Sequence, residues 1–387
     1  MSRAVRRIGL NGLFLDYPHS GTWTYTRNLT RSLAAIDPST EYRLAVRRAD
    51  VAEQLPANVI VNRPAWPLAR GQSRFSLVER ADKAAWEQLG WPLNARRCSL
   101  MHSLYFAGPA LHFTPLVVTV HDCLSLDPQY QHSRAAAVYA LAMRQTVRRA
   151  NALITVSQHA RTEISRRLDY PADKIFVTLE APDPAMHRVT GDDQFDRFRA
   201  KHSLPARYVL YLGGTERRKN LETLIRAWAR VPEGELKLVV IGQFPLNDPL
   251  FPDVRILAGE LGIEERVIFV PFIDQVALPG LYSHADLFCY PSNNEGFGLP
   301  PIEAMACGAP VLASNAASLP EVLGMGANLI SPADVDGWAM AMTRAISDAE
   351  YRSELAERGS KWVKRYSWES TARATVDVYD HVLRSSS

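Results

Sequence analysis

Thirteen short apolar runs, many of them β-branched, punctuate the 387-residue chain, with helix-patterned stretches between them. In the first half they are Arg7–Leu15, Tyr42–Val46, Val59–Val61, Ser99–Leu104, Leu116–Val120, Ala152–Val156 and Ile175–Thr178. In the second half they are Tyr208–Leu212, Leu236–Ile241, Val267–Val270, Leu287–Tyr290, Pro310–Ala313 and Asn328–Ile330. Runs that stay apolar instead of alternating suit strands covered on both faces, the condition of a parallel sheet between helices. Helical patterns lie at Thr22–Ala35, Arg134–Ala150, Leu221–Ala229, Ala277–His284, Val335–Ser347 and Glu350–Tyr366. Strand alternating with helix implies right-handed βαβ units and a doubly wound α/β fold. So many strands overfill one open sheet. The Pro/Asp-rich stretch Glu180-Ala-Pro-Asp-Pro-Ala, with Gly191-Asp-Asp beyond it, breaks the pattern near the middle. We therefore expect two Rossmann-like domains, 1–185 and 186–366. In the last segment, 367–387, Ser367 caps an amphipathic helix to about Leu383, expected to pack back on the first domain.

Composition narrows the class. At 47% hydrophobic and 22% charged residues the chain is not a disordered one. No apolar run reaches the ~18 residues of a membrane helix, and the start is too polar for a signal peptide. Cys98, Cys123, Cys289 and Cys307 form no C-x-x-C pair, which fits a reducing compartment and a cytoplasmic protein. The net charge of +3 gives no support to nucleic-acid binding, but it is unevenly spread. Residues 1–190 hold 24 basic and 15 acidic side chains, net +9; the remainder hold 20 and 26, net −6. A basic first half suits an acidic partner or peripheral contact with an anionic membrane at its inner face, or is a solvated arginine-rich surface.

The sharpest motif runs from Tyr290 to Leu312. A strand ends, a loop with Gly296 and Gly298 follows, and a helix opens at Pro300–Pro301. That places backbone N–H groups at a helix N-terminus beyond the carboxyl end of a strand, where open α/β sheets bind anions. Glycine there lets the backbone approach a ligand. Glu295 and Glu303 are suited to accepting hydrogen bonds from sugar hydroxyls; for Glu303 the alternative is a first-turn acid that complements the helix dipole.

The stretch Glu295-Gly-Phe-Gly-Leu-Pro-Pro-Ile-Glu-Ala-Met-Ala-Cys-Gly-Ala-Pro-Val311 resembles the signature of the retaining GT-B glycosyltransferases of the GT4, or glycogen-synthase-like, group, with its two glutamates separated by seven residues. The resemblance spans essentially the whole chain, more weakly in the first half. It implies an α/β GT-B fold, two Rossmann-like domains facing each other across a cleft. It also implies roles. Glu295 contacts the donor sugar and Glu303 the ribose hydroxyls, while backbone amides of Phe297, Gly298 and Leu299, with Gly296, approach the sugar or diphosphate.

Three further segments fit the same family. In Tyr211-Leu-Gly-Gly-Thr-Glu-Arg-Arg-Lys-Asn-Leu, Arg218 and Lys219 can neutralise a diphosphate. Basic residues beside a helix start oppose its dipole, which disfavours reading them as ordinary surface charge. A family member often carries a further Arg where this chain has Gly214 and Thr215. Leu116–Val120 leads into His121 and Asp122; a hydrogen-bonded core histidine is one reading, and the resemblance makes His121 a sugar-contacting, catalytic residue with Asp122 supporting the loop. Gly21, in Ser20-Gly-Thr-Trp, resembles the start of the helix near the donor phosphate and acceptor. Asp334-Val-Asp336 precedes a helix and reads as a cap. No metal-ligand cluster is seen, so no metal or bound cofactor is expected.

Together these imply a metal-independent retaining hexosyltransferase using a nucleotide-diphosphate sugar. The details look most like bacterial mannosyl- and rhamnosyltransferases of polysaccharide assembly, with GDP-mannose the first expectation for the donor and a UDP-hexose the second. The expected acceptor is a glycan or a lipid-linked glycan. Three other classes compete: a sugar-nucleotide epimerase, a glycosidase using the two glutamates, and a non-catalytic sugar-nucleotide-binding subunit. The glycosidase is disfavoured because its carboxylates usually come from separate elements flanking the bond. A dehydrogenase lacks its G-x-G-x-x-G.

Overall fold

A computed structural model describes residues 6–18, 20–47, 55–62, 77–127, 134–191, 193–245, 250–271, 273 and 275–385. The chain divides into two compact units, Met1–Glu180 with Ser367–Ser387, and Ala181–Tyr366. The division falls between Glu180, which contacts His121 of the first unit, and Ala181.

In the first unit the strands are β1 (Arg7–Asn11), β2 (Glu41–Ala45), β3 (Val59–Asn62), β4 (Leu100–Ser103), β5 (Leu116–Thr119), β6 (Ala152–Thr155) and β7 (Ile175–Val177). The helices are α1 (Gly21–Ile36), α2 (Leu77–Ala85), α3 (Trp91–Ala95), α4 (Arg134–Arg149) and α5 (Gln158–Leu168). All strand pairs are parallel, in the order β3-β2-β1-β4-β5-β6-β7. The second unit contains α6 (Asp193–Lys201), β8 (Tyr208–Leu212), α7 (Leu221–Trp228), β9 (Lys237–Ile241), α8 (Val254–Glu260) and β10 (Val267–Val270). It continues with α9 (Leu278–Ser283), β11 (Leu287–Tyr290), α10 (Leu299–Ala306), β12 (Val311–Ser314), α11 (Leu319–Leu323), β13 (Asn328–Ile330), α12 (Val335–Ser347) and α13 (Ala349–Val363). Its sheet is also parallel, in the order β10-β9-β8-β11-β12-β13. The last helix, α14 (Trp368–Ser385), belongs to the first unit.

Both sheets are doubly wound. Strand order reverses between β1 and β4 in one and between β8 and β11 in the other, leaving at each reversal a crevice beyond the carboxyl ends. The loops that carry the sequence motifs leave those strands or their neighbours. The core of the second sheet is largely apolar: Val209, Leu238, Val240, Leu287 and Leu312 are buried with Trp228 and Trp338 from the covering helices. Each such aliphatic side chain contributes about 2 kcal/mol of burial.

The first strand is shorter than its apolar run. It stops at Asn11, and Leu13–Asp16 form a 3-10 turn. The Gly12 N–H donates to the Ala45 carbonyl at 2.9 Å, and a Cβ on Gly12 would lie 2.9 Å from that oxygen. Asn11 Oδ1 accepts from the Leu13 N–H and from the Trp86 indole, both at 3.2 Å. Leu13 and Leu15 stay buried after the turn, so apolar patterning cannot locate it.

Ser367 does open α14, its hydroxyl accepting from the Ser370 N–H at 3.1 Å. The helix packs on α1 and buries Trp368, Thr371, Tyr379 and Val382. Thr371 Oγ1 donates to the Leu179 carbonyl at 2.5 Å, and the Tyr379 hydroxyl lies 2.7 Å from His102 Nδ1. Among the described residues no helix is long and apolar enough to cross a membrane.

Candidate functional site

In the second unit β8 and β11 are paired, Phe288 opposite Leu210. The loops leaving their carboxyl ends therefore meet. From β8 the chain runs through Gly213 and Gly214 to a 3-10 turn, Arg217–Lys219, ahead of α7. From β11 it runs through Glu295 to α10. Lys219 is buried, and its ammonium donates to Glu295 Oε1 at 2.7 Å and to the Tyr290 hydroxyl oxygen at 2.8 Å. The Tyr290 hydroxyl in turn donates to the same carboxylate oxygen at 2.9 Å. Arg218 Nη1 stands 3.5 Å from Glu295 Oε2.

Two cations thus surround one buried carboxylate. Burial acts to raise the Glu295 pKa, but the charges of Lys219 and Arg218 outweigh it and hold the group at about 2. Lys219 is pulled below the ordinary lysine value by burial, with Arg218 reinforcing and Glu295 opposing. Burial drives the Tyr290 phenol upward, so it remains a hydrogen-bond donor. Two of the three ammonium protons of Lys219 are spent on Glu295 and Tyr290; Arg218 is the more exposed cation.

The loop between Tyr290 and Leu299 is pinned from several sides. The Asn293 N–H donates to the Arg218 carbonyl at 2.7 Å, and the Ser292 hydroxyl donates to it at 3.1 Å. Asn220, held at φ 56°, donates to the carbonyls of Pro291 and Pro332 at 3.1 and 2.7 Å. The Ser318 hydroxyl is shared between the carbonyls of Glu295 and Phe297 at 2.9 and 3.1 Å. Gly298 sits at φ +100°, and a Cβ there would lie 2.6 Å from Leu319 Cδ2, so glycine is required by backbone and by packing. Leu299 begins α10, with Pro300 and Pro301 in its first turn, where a missing N–H costs nothing.

Not every expected residue joins this cluster. The Phe297 side chain is buried and stacks edge-on with Tyr366, ring centroids 5.7 Å apart, so only its backbone can face a ligand. Gly296 lies half-buried between Glu295 and Phe297. Glu303 lies on α10, and its Oε2 is 3.5 Å from the Tyr282 hydroxyl. Asp334 caps α12, accepting from the Gly337 N–H at 2.8 Å, while Asp336 pairs with Arg230. Among the described residues no group of three or more His, Cys, Asp or Glu side chains is arranged to hold a metal ion.

His121 and Gly21 belong to the first unit. His121 follows β5, with Nδ1 3.1 Å from Glu180 Oε1 and Nε2 3.2 Å from the Leu104 carbonyl oxygen. Its ring meets Tyr25 edge-on, centroids 4.7 Å apart. Asp122 shapes the loop, accepting from the Leu124 N–H at 3.0 Å. Gly21 is the exposed first residue of α1, and Ser20 caps that helix by accepting from the Trp23 N–H at 3.2 Å.

Comparison with known proteins gives this geometry a family. Residues 192–362 match the family Glycosyl transferases group 1, and residues 20–178 match the Glycosyl transferase 4-like domain. The solved sucrose-phosphate synthase from Thermosynechococcus elongatus superposes with a TM-score of 0.72 at 25% identity, over 98% of this chain and 100% of that one. The chain belongs to the GT4-type glycosyltransferases of GT-B fold. The O-antigen chain mannosyltransferase B of Escherichia coli is 29% identical to this glycosyltransferase over 383 residues, 94% of this chain and 97% of that protein. The serotype-specific mannosyltransferase WbdA of Escherichia coli is 32% identical over 241 residues, 62% of this chain but 30% of that longer protein.

Four residues of the glycosyltransferase carry contacts that motif reading passed over. Tyr290 is the last residue of β11 and reads as part of an apolar run, although its hydroxyl joins Lys219 to Glu295. Asn220 completes the Arg-Lys-Asn triplet, and that adjacency was the available signal. Ser318 has no motif around it. Glu180 lies in the Pro/Asp-rich break, which as sequence marks only a linker.

Proposed function

We propose that this glycosyltransferase moves mannose from GDP-mannose, with retention and without a metal, to a glycan or lipid-linked acceptor in bacterial polysaccharide assembly. The observation that carries the reading is the buried cluster of Lys219, Arg218 and Glu295 at the β8/β11 reversal. A nucleotide-diphosphate leaving group needs fixed positive charge beside it, and a sugar needs fixed hydrogen-bond acceptors. Here both come on one rigid loop pair. The choice of mannose follows the mannosyltransferase similar over nearly its whole length.

In this reading Glu295 orients the donor sugar, Glu303 the ribose hydroxyls, and His121 contacts the sugar. Backbone amides of the Gly296–Leu299 stretch approach the diphosphate, and Gly21 lies at the helix start near donor phosphate and acceptor. Cleavage of the sugar–phosphate bond sends its electron pair to the diphosphate, whose charge Arg218 and Lys219 meet. The acceptor oxygen attacks the anomeric carbon from the departing face, and its proton passes to the leaving phosphate oxygen. The excess of basic residues in 1–190 supports contact with an anionic lipid surface at the inner membrane face. Binding to anionic but not neutral liposomes at low salt tests that part.

The test of the reaction is release of nucleoside diphosphate from GDP-, UDP- and dTDP-sugars in EDTA, with Glu295→Ala, Lys219→Ala and His121→Ala beside the wild type. Slow release from GDP-mannose, lost in the variants, is expected. Release from a UDP-sugar alone overturns the donor, and a strict need for added metal overturns the metal-independent mechanism.

A further inference from the structure

We propose that Glu180 is the positioning residue of His121, fixing the plane of its ring and keeping both ring nitrogens protonated, so that Nε2–H is always a donor. The inference rests on the reading of His121 as a donor-sugar contact and assigns the partner that makes that contact directional.

The argument is one of donors and acceptors. With Glu180 ionised, the two nitrogens of His121 face two acceptors: Glu180 Oε1 at 3.1 Å from Nδ1, and the Leu104 carbonyl oxygen at 3.2 Å from Nε2. A neutral imidazole has one N–H and would set its lone pair against one of those oxygens. Only the doubly protonated ring satisfies both. The Glu180 side chain is just 5% exposed, and a carboxylate so buried is costly unless it meets a positive partner. Among the described residues no lysine or arginine forms an ion pair with Glu180, and His121 takes that place.

The surrounding charges agree. Glu180 faces the ring from the end of the segment after β7, and Asp122 adjoins it in the chain. Tyr25 of α1 presents its ring edge and sends its hydroxyl to Thr119 at 3.1 Å. His102 of β4 lies in the same interior, and burial, aided by the charge of His121, keeps it neutral with a pKa of about 3. For His121 burial alone works against protonation; the bond to Glu180 and its charge, the Leu104 carbonyl and Asp122 work for it, and the net direction is upward.

The placement of Glu180 is held from behind. The Thr178 N–H donates to the Thr155 carbonyl at 2.8 Å, and Thr371 of α14 donates to the Leu179 carbonyl at 2.5 Å. Trp368 of α14 packs against Tyr25, centroids 6.0 Å apart. The carboxylate is thereby fixed from behind. A sugar hydroxyl oxygen can replace the Leu104 carbonyl as acceptor without disturbing the Glu180 bond. Loss of Glu180 would free the ring to take either neutral tautomer and to turn.

Full-length protein labelled with 15N-histidine tests this by ring-nitrogen NMR across a pH titration, with the His121 signals assigned from a His121→Gln spectrum. In the wild type both His121 nitrogens are expected to be protonated at pH values where an exposed histidine has already lost one proton. In Glu180→Gln the midpoint moves to lower pH, and Glu180→Asp keeps part of the difference. Donor turnover in Glu180→Gln declines at lower pH than in the wild type while its acid-side rate is retained; a merely structural role lowers the rate equally at every pH. A single ring N–H on wild-type His121 at neutral pH overturns the proposal, and that measurement needs no variant to fold. An unchanged midpoint in a folded Glu180→Gln overturns it too. Normal donor turnover by His121→Ala, with the NMR shift intact, instead removes the sugar-contact reading and leaves the pairing standing.

Discussion

Lys219 Nζ and Glu295 Oε1 stand 2.7 Å apart in the interior of the second unit, joined across 76 residues of sequence. Neither charge is tolerable there alone. Removing one partner of a buried pair leaves the other uncompensated, at about 3 kcal/mol or more, whereas replacing both with apolar groups costs far less. Lys219→Met and Glu295→Leu are each expected to destabilise by roughly 3 kcal/mol, and the double variant by less than their sum. Urea unfolding measures this, and additive losses would count against the pairing. Each single variant is also expected to slow diphosphate release about a hundredfold or more.

Acid should loosen the protein in two windows. His102 is neutral when folded down to a pKa of about 3 but takes a proton near 6.5 when unfolded, so its contribution is full above 6.5 and falls as pH drops towards 3. Glu295 is ionised when folded down to about 2, against 4.5 as its reference value, so its contribution is full above 4.5 and is lost as pH falls towards 2. Stability against pH, measured by denaturant unfolding, should slope less steeply in Glu295→Gln below pH 4.5. A slope equal to that of the wild type would show that Glu295 is not depressed.

Gly298→Ala puts a side chain at φ +100° and 2.6 Å from Leu319. The expected cost is roughly 2 kcal/mol of stability. Because Gly298 precedes α10, the strain should also displace the amides that open that helix, weakening donor binding in calorimetry more than Leu319→Ala does. Undiminished donor affinity in a folded Gly298→Ala would separate the loop from the donor site.

Tyr379→Phe removes the hydroxyl beside His102 Nδ1 and leaves that buried nitrogen without this partner. A loss of about 1–2 kcal/mol is expected. Thr371→Val, which removes the donor to the Leu179 carbonyl, should cost about 1 kcal/mol and should also lower turnover, because it loosens the segment carrying Glu180. Stability lost with turnover intact would confine α14 to a structural role.

The strands were legible because a strand covered on both faces is apolar along most of its length, and Tyr208–Leu212 and Leu287–Tyr290 coincide with β8 and β11 to the residue. The short or polar helices α5, α6 and α8 were not singled out, since α5 and α6 bury only a few side chains each and α8 spans seven residues. The turn at Gly12 was hidden for a different reason: Leu13 and Leu15 are buried whether or not the strand continues.

Local sequence singled out candidates: the Arg218-Lys219-Asn220 triplet, the Glu295–Leu299 loop and His121 are each encoded within a few adjacent positions, where turn geometry and charge are decided. It could not say that Lys219 would spend its charge on Glu295, that Tyr290 would bridge them, or that Glu180 in a proline-rich break would face His121. Those pairings depend on β11 lying beside β8, and on the chain returning past β7 to the end of β5. Strand order is set by packing whole βαβ units against one another, a free energy spread over the entire core and written in no short stretch of residues.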